Sequence, residues 1–312
     1  MRHRRAGALD PLLPRHRPLP APAPGDITLR VPGAEGLLRR HRPAPESFDA
    51  SWHAAEQYQL HACPDPRLPE PARTAALGAL LAAWHHALPP LGHDSEAVFT
   101  WPSRDAALTP LLLAHGMVPK RIAAVRPARR PLPAPRTGPR TMIRPFDPAW
   151  AAEAAGLWLD GMRWDAQFGS CVIRPSTAAN IRLRLARSLV WVAERQRRVV
   201  GLLAAEDPRG ARAGRTGYIS SLLVAAPHRG DGIGSALVRT AHAALDEAGC
   251  PATLLHYAAL SPVSGPFWHR HGYRPLWTTW VRRGPLGPAT PGSSAPASAP
   301  PAPPTPPAAR PA

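Results

Sequence analysis

Between residues 218 and 249 the chain reads as strand, glycine loop and amphipathic helix, and that order is the strongest constraint on its fold. The apolar run Tyr218 to Ala225 has strand character. It leads into His228-Arg229-Gly230-Asp231-Gly232-Ile233-Gly234-Ser235-Ala236-Leu237, and a helical pattern then continues to Gly249. Glycines at 230, 232 and 234 let the backbone turn tightly and point several N–H groups one way. The following helix adds the positive end of its dipole. The arrangement suits a phosphate-bearing ligand, although a plain strand-to-helix turn needing glycine for positive φ would use the same residues.

Three kinds of glycine loop compete. A dinucleotide loop follows the first strand of its unit and keeps a third glycine. Here Ser235 stands at that position and several strand-like runs precede the loop. A nucleoside-triphosphate loop needs Gly-Lys-Ser/Thr, and the sole lysine of the chain is Lys120. The third pattern, Arg-x-x-Gly-x-Gly, is matched by Arg229, Gly232 and Gly234. It resembles the acyl-CoA pyrophosphate loop of the GCN5-related N-acetyltransferase (GNAT) family.

A second stretch strengthens the resemblance. Pro266-Phe267-Trp268-His269-Arg270-His271-Gly272-Tyr273-Arg274-Pro275 looks like the family's C-terminal signature, an aromatic pair followed by Gly-aromatic. Gly272 has the position of a helix stop, with Pro275 soon after. The resemblance covers residues 141 to 283. It implies an α/β fold, a mixed and mostly antiparallel sheet flanked by helices.

The element pattern agrees. Strands are expected at Thr141–Pro145, Leu189–Ala193, Val199–Ala205, Tyr218–Ala225 and Ala252–Leu260. Helices are expected at Pro148–Gly161, from Pro175 to Arg187, and after the glycine loop, where Ile233, Leu237, Ala241, Ala244, Leu245 and Ala248 share one side.

An internal repeat extends the reading towards the N-terminus. Aligning Leu108–Pro127 with Ser264–Arg283 gives six identities in 20 ungapped positions: Pro110 with Pro266, His115 with His271, Gly116 with Gly272, Pro119 with Pro275, Val125 with Val281 and Arg126 with Arg282. Strands at Ser51–Cys63, Ala97–Trp101 and Arg121–Val125, with helices at Ala72–Leu88 and Leu108–His115, would complete a truncated first copy. Where its glycine loop should lie stands Cys63-Pro64-Asp65-Pro66-Arg67-Leu68-Pro69. Proline lacks an N–H and cannot build an anion cradle. The first copy is therefore expected not to hold acyl-CoA and to serve packing, lid or dimer roles.

The organisation expected is a disordered, basic, Pro-rich segment 1–25, a degenerate copy at 26–126, a Pro/Arg linker at 127–140, the intact copy at 141–283 and a disordered Pro/Ala-rich tail at 284–312. The net charge of +17 invites a nucleic-acid reading. However, nine of those charges lie in residues 1–25, 127–140 and the tail, and no binding motif accompanies them. Sequence-directed nucleic-acid binding is not expected. No apolar run spans a bilayer, and no signal peptide is legible. Cys63, Cys171 and Cys250 are far apart and fit a reduced, cytoplasmic protein in which all three are buried. No metal site is expected, and a homodimer is compatible with the sequence.

The resemblance also implies site residues. The strand before the loop should splay from its neighbour at a bulge, with Leu223 and Val224 offering backbone to pantetheine and thioester. Arg229, Gly230, Asp231, Gly232, Ile233, Gly234 and Ser235 should hold the pyrophosphate. Many family members carry tyrosine as the second aromatic of the pair, acting as acid to the leaving thiolate. Trp268 stands there and has no useful acidity. Ser261, which could contact the cofactor or simply cap a helix, and Tyr257 are the substitutes. Glu206 and His256 are candidate bases, while His269 and His271 read as surface and Tyr273 as core. Trp158, Trp164 and Phe168, with Asp160 and Asp165, are either an acceptor wall or core with a solvated face. The activity implied is acetyl transfer from acetyl-CoA to a primary amine, with a non-catalytic acyl-CoA sensor as the alternative.

Overall fold

The computed structural model describes residues 11–13, 18–132, 141–208 and 216–284. Most of the 127–140 linker, the tail beyond 284 and residues 1–10 and 14–17 lie outside them. The first half contains β1 (Ile27–Val31), β2 (Ala34–His41), β3 (Glu56–Pro64), α1 (Glu70–Ala87), β4 (Ser95–Pro102), α2 (Thr109–Ala114) and β5 (Val118–Pro127). The second contains β6 (Met142–Pro145), α3 (Ala151–Ala166), α4 (Thr177–Arg187), β7 (Leu189–Arg195), β8 (Arg198–Ala205), β9 (Gly217–Val224), α5 (Ile233–Glu247), β10 (Ala252–Ala258), α6 (Ser264–Arg270) and β11 (Arg274–Arg283).

All eleven strands form one sheet, ordered β1-β2-β3-β4-β11-β5-β10-β9-β8-β7-β6. Only β3–β4 and β9–β10 are parallel. Each half has lent its last strand to the other: β11 pairs with β4, and β5 pairs with β10. The register obeys the repeat. Val98 pairs with Val281, and the repeat-equivalent pair, Leu254 with Val125, stands in the other ladder. Between β5 and β11, Val118 pairs with Val281 and Val125 with Arg274, as a local two-fold axis between the strands requires. The first half is thus a truncated copy lacking counterparts of β6, α3 and α4.

Helices cover both faces of the second half. Along β8, Leu203 packs with Ile233, Leu237 and Leu245 of α5, while Leu202 and Ala204 turn the other way, towards Trp158 and Met162 of α3 and Ile181 and Leu185 of α4. In the first half α1 buries Leu77, Leu80, Leu81 and Trp84 against Leu38, Leu60 and Phe99. The halves interlock away from the exchanged strands. Arg174 forms a forked pair with Asp94 (2.6 and 3.0 Å), Ser51 and Thr177 share a buried hydrogen bond of 2.9 Å, and the Val172 N–H donates to the Ser51 carbonyl.

Several boundaries differ from the sequence reading. Strands β1 and β2 were missed because arginines at 30, 39 and 40 break their apolar pattern. The expected strand from Ser51 starts at Glu56, since Phe48–Ser51 is a 3₁₀ turn capped by Ser47. Helix α3 runs past Gly161 to Ala166: this glycine is not a stop but a close contact, for a Cβ there would lie 1.8 Å from Leu223 Cδ2. Leu13, in the segment expected to be disordered, is buried with Val125, Ala252 and Leu276. Cys171 and Cys250 are buried as expected, but Cys63 is only half-buried. Among the described residues no helix is long and apolar enough to cross a membrane.

Candidate functional site

The site begins with a gap in the sheet. Strand β9 pairs with β10 only through Gly217, Tyr218 and Ile219. Beyond them Ser220–Val224 stays with β8, while His256–Ala258 stays with β5. The β8–β9 register skips Ser220, a bulge that turns β9 away from β10. The Ala225 N–H donates to the Val200 carbonyl. By the alternation of an antiparallel ladder, Leu223 and Ser221 then face β8, whereas Leu222 and Val224 turn their backbone to the open edge. This corrects the expectation for Leu223, which enters through its side chain against Gly161. A cavity of about 750 Å³ lies at the gap, lined by both strands, α3 and α6.

The glycine loop closes one end of this edge. Gly230 and Gly232 adopt φ of 89° and 77°, and Gly232 caps α5. Among the described residues, no N–H from Gly230 to Ser235 donates to a protein acceptor. Six open donors at a helix N-terminus suit an anion. The Asp231 carboxylate, ill-suited beside a phosphate, is held by Arg195 of β7 at 2.8 Å, which also touches His228 Nδ1 at 3.1 Å. The Arg229 guanidinium donates to the Val224 carbonyl at 3.1 Å and lies 5.4 Å from the Trp164 ring centre. Ser235 joins the loop to α6: His271 Nδ1 donates to the Phe267 carbonyl at 2.8 Å, leaving Nε2 to accept from Ser235 Oγ at 3.0 Å.

On the far side the cavity is walled by both halves. Asp165, Trp164 and Leu157 come from α3, Tyr218 and Glu206 from the central strands, and Phe48, Trp52, His53 and Arg121 from the first half. Burial pushes the Asp165 carboxyl up to about 6, and its side chain has no hydrogen-bond or ion-pair partner among the described residues. His256 shares a 3.0 Å hydrogen bond with the Tyr218 hydroxyl, and burial, Arg121 and His53 push its imidazole down to about 3. The ring is exposed to the cavity and stays neutral. Tyr257 shares a 3.2 Å hydrogen bond with His269 Nε2, and burial raises its phenol to about 12.

Residues 151–273 match the family model described as Acetyltransferase (GNAT) family. The second half of the chain carries a GNAT-family domain. The family's chemistry is acyl transfer, and its fold takes acyl-CoA and an acceptor. Among solved structures, a GCN5-related N-acetyltransferase from Sphaerobacter thermophilus is 17% identical, with 80% of this chain and 76% of that one covered and a TM-score of 0.46. One from Kribbella flavida is 16% identical over 83% and 90%, at a TM-score of 0.44. A tandem GNAT protein from the clavulanic acid biosynthesis pathway is 14% identical over 82% and 80%, at 0.43. No curated protein matches the chain.

Within the GNAT domain the structure brings about half of the expected residues to one cleft, while Gly230 to Ser235 lie beyond its lining. Val224, Arg229, Glu206, His256, Tyr257 and Trp268 all line the cavity. Trp268 is nearly buried and packs edge-on against Phe267 and Tyr273, so it is wall and core together. Ser261 does not fit its expected role: it is buried, bonds Ser264 at 2.9 Å, caps the start of α6 and does not line the cavity. His269 and His271, expected at the surface, bind Tyr257 and Ser235 respectively, and His271 is buried. Tyr273 is core, its hydroxyl bonded to His242 at 3.0 Å. Asp165 and Asp160 both line the cavity, Asp160 paired with Arg163 at 2.9 Å. Sequence reasoning missed Arg195, His53 and Arg121. No spacing signal ties them to the loop or cleft: strand pairing brings Arg195 and Arg121 there, and the Arg174 and Thr177 contacts bring the segment of His53.

Proposed function

We propose that this chain transfers an acetyl group from acetyl-CoA to the amine of a small acceptor by direct attack. The observation that carries the reading is the open backbone edge of β9, followed after a 3₁₀ turn by six loop donors without a protein acceptor. The donor set fits the group: N–H atoms of residues 230–235 for a pyrophosphate, and the backbone of Leu222 and Val224 for an amide-rich arm and a thioester oxygen. When bound, acetyl-CoA supplies the activated acyl carbon and a thiolate leaving group.

The residues then divide the work. Asp165, held near 6, is ionised at neutral pH, attracts an ammonium and accepts its proton as the amine attacks. Tyr257 keeps its proton and sits beside His269, placed to donate to the departing sulfur in place of the missing tyrosine of α6. His256 and Tyr218 orient the acceptor, and Glu206, 3.9 Å from Arg184, borders the cavity mouth as a second carboxylate. Holding two reactants in line can supply on the order of 7–11 kcal/mol of the barrier reduction.

The test is a thermal-shift titration with acetyl-CoA, followed by turnover of an amine panel with detection of free thiol. A rise in melting temperature and thiol release are expected. No shift at millimolar acetyl-CoA would sink the reading. A shift without turnover would leave an acyl-CoA sensor, the reading that Trp268 favours. Tyr257→Phe is expected to lower kcat about 100-fold with little change in KM.

A further inference from the structure

One cation of the cavity wall, Arg121, makes no direct ion pair among the described residues, although Asp49 and Glu96 attract it from further off. Arg121 lies on β5, the strand that the first half lends to the second, opposite Ala258 of β10. Its register with β11 skips Lys120, so a bulge sits beside it. Its side chain lines the cavity, yet among the described residues it makes no hydrogen bond or ion pair, and Nε is sealed from solvent without a partner. Neighbouring carboxylates are committed elsewhere. Glu96 holds Lys120 at 2.8 Å, Asp94 holds Arg174, and Asp49 lies 3.2 Å from His53 Nε2. The guanidinium is desolvated enough for burial to draw its pKa down. The side chain is half-buried, and its planar fork matches an oxyanion in two hydrogen bonds.

The same cavity holds an unpaired anion, Asp165. A guanidinium and a carboxylate that both lack a direct partner, in one enclosure, suit the two ends of a zwitterion. We propose that the acceptor is an amino acid or an amino-acid-like amine, whose carboxylate is gripped by Arg121 while its amine faces Asp165. Specificity then resides in the degenerate half, which supplies Arg121 and the apolar wall of Phe48 and Trp52. This rests on the reading of the site as an amine acetyltransferase.

The experiment compares pairs of acceptors differing only in the carboxylate, such as phenylalanine, phenethylamine, phenylalaninamide and the aminophosphonate analogue, across the protein amino acids. With the full chain and acetyl-CoA, kcat/KM is expected to favour the carboxylate form by about 30-fold or more. That preference should collapse in Arg121→Met and persist in part in Arg121→Lys, with circular dichroism melts showing that both variants fold. A preference for the aminophosphonate would make the anion a phosphate-type group and overturn the amino-acid assignment. Equal rates with and without the carboxylate, or a preference that survives Arg121→Met, would overturn it too. If acetyl-CoA binds but no amine reacts, the proposed reaction fails. Calorimetry of amino acid against des-carboxy amine on the acetyl-CoA-loaded protein then decides the carboxylate site by itself, and absence of Arg121-dependent binding rejects it.

Discussion

Replacing Asp165 by asparagine should make the protein more stable and less active at once. The carboxyl is unpaired, and burial lifts it from near 3.8 in the unfolded chain to about 6. The folded state therefore binds the proton more tightly, so stability falls as pH rises from about 4 to 6 and the penalty persists above that window. Two pH units at 1.36 kcal/mol each put the penalty at about 3 kcal/mol, an upper value for a group that is not fully enclosed. Asp165→Asn removes the charge and keeps the shape. At pH 8 it should raise the melting temperature of the ligand-free protein by up to about 6–12 °C, from about 2–4 °C per kcal/mol for a chain of this size. At pH 5 the native carboxyl is already mostly protonated, and the gain should shrink by about half. Acetyl transfer at pH 8 should fall about 100-fold or more. Scanning calorimetry at both pH values, with thiol-release kinetics, checks each part. A variant no more stable than the parent at pH 8, or equally stabilised at both pH values, would refute the argument from desolvation.

The other predictions concern the cradle and the first half. Gly232→Val forces a β-branched residue to φ near 77° at the mouth of the nest, and the acetyl-CoA thermal shift should vanish; an unchanged shift would show the loop to be misassigned. Arg195→Ala frees the Asp231 carboxylate beside the pyrophosphate site, so acetyl-CoA affinity by calorimetry should weaken about 10-fold or more, and Asp231→Asn on that background should restore most of it. Lys120→Met leaves the fully buried Glu96 with only Gln57, the Ala54 N–H and a half-exposed Arg283 at 3.6 Å. It should cost about 3–5 kcal/mol in denaturant unfolding, with Glu96→Gln in the double variant recovering part.

The local grammar of the cofactor cradle is written in the sequence. Glycines at 230 and 232 take the positive φ that only they adopt freely, and Ile233, Leu237 and Leu245 commit α5 to one face of the sheet. The aromatic pair Phe267-Trp268 fixes α6 against that same core. These are short-range effects, in which residue type and spacing suffice. The repeat between Leu108–Pro127 and Ser264–Arg283 was legible too, but it says only that two strands are alike. It does not say that they change places. That exchange is decided by ladders between residues far apart in the chain, Val98 with Val281 and Leu254 with Val125.

Everything on the acceptor side follows from the exchange. Arg121 reaches the cleft because β5 lies beside β10, and Phe48 and His53 reach it because Arg174 and Thr177 clamp their segment to the other half. Whether Asp165 is a solvated acid or a strained, reactive one depends on burial, which no single position records. The sequence alone determined that a GNAT domain with an open glycine loop forms, since hydrogen-bond donors and helix faces are local properties. Only the tertiary structure decided what faces that ligand, because the charges there meet through strand pairing and are unbalanced by their enclosure.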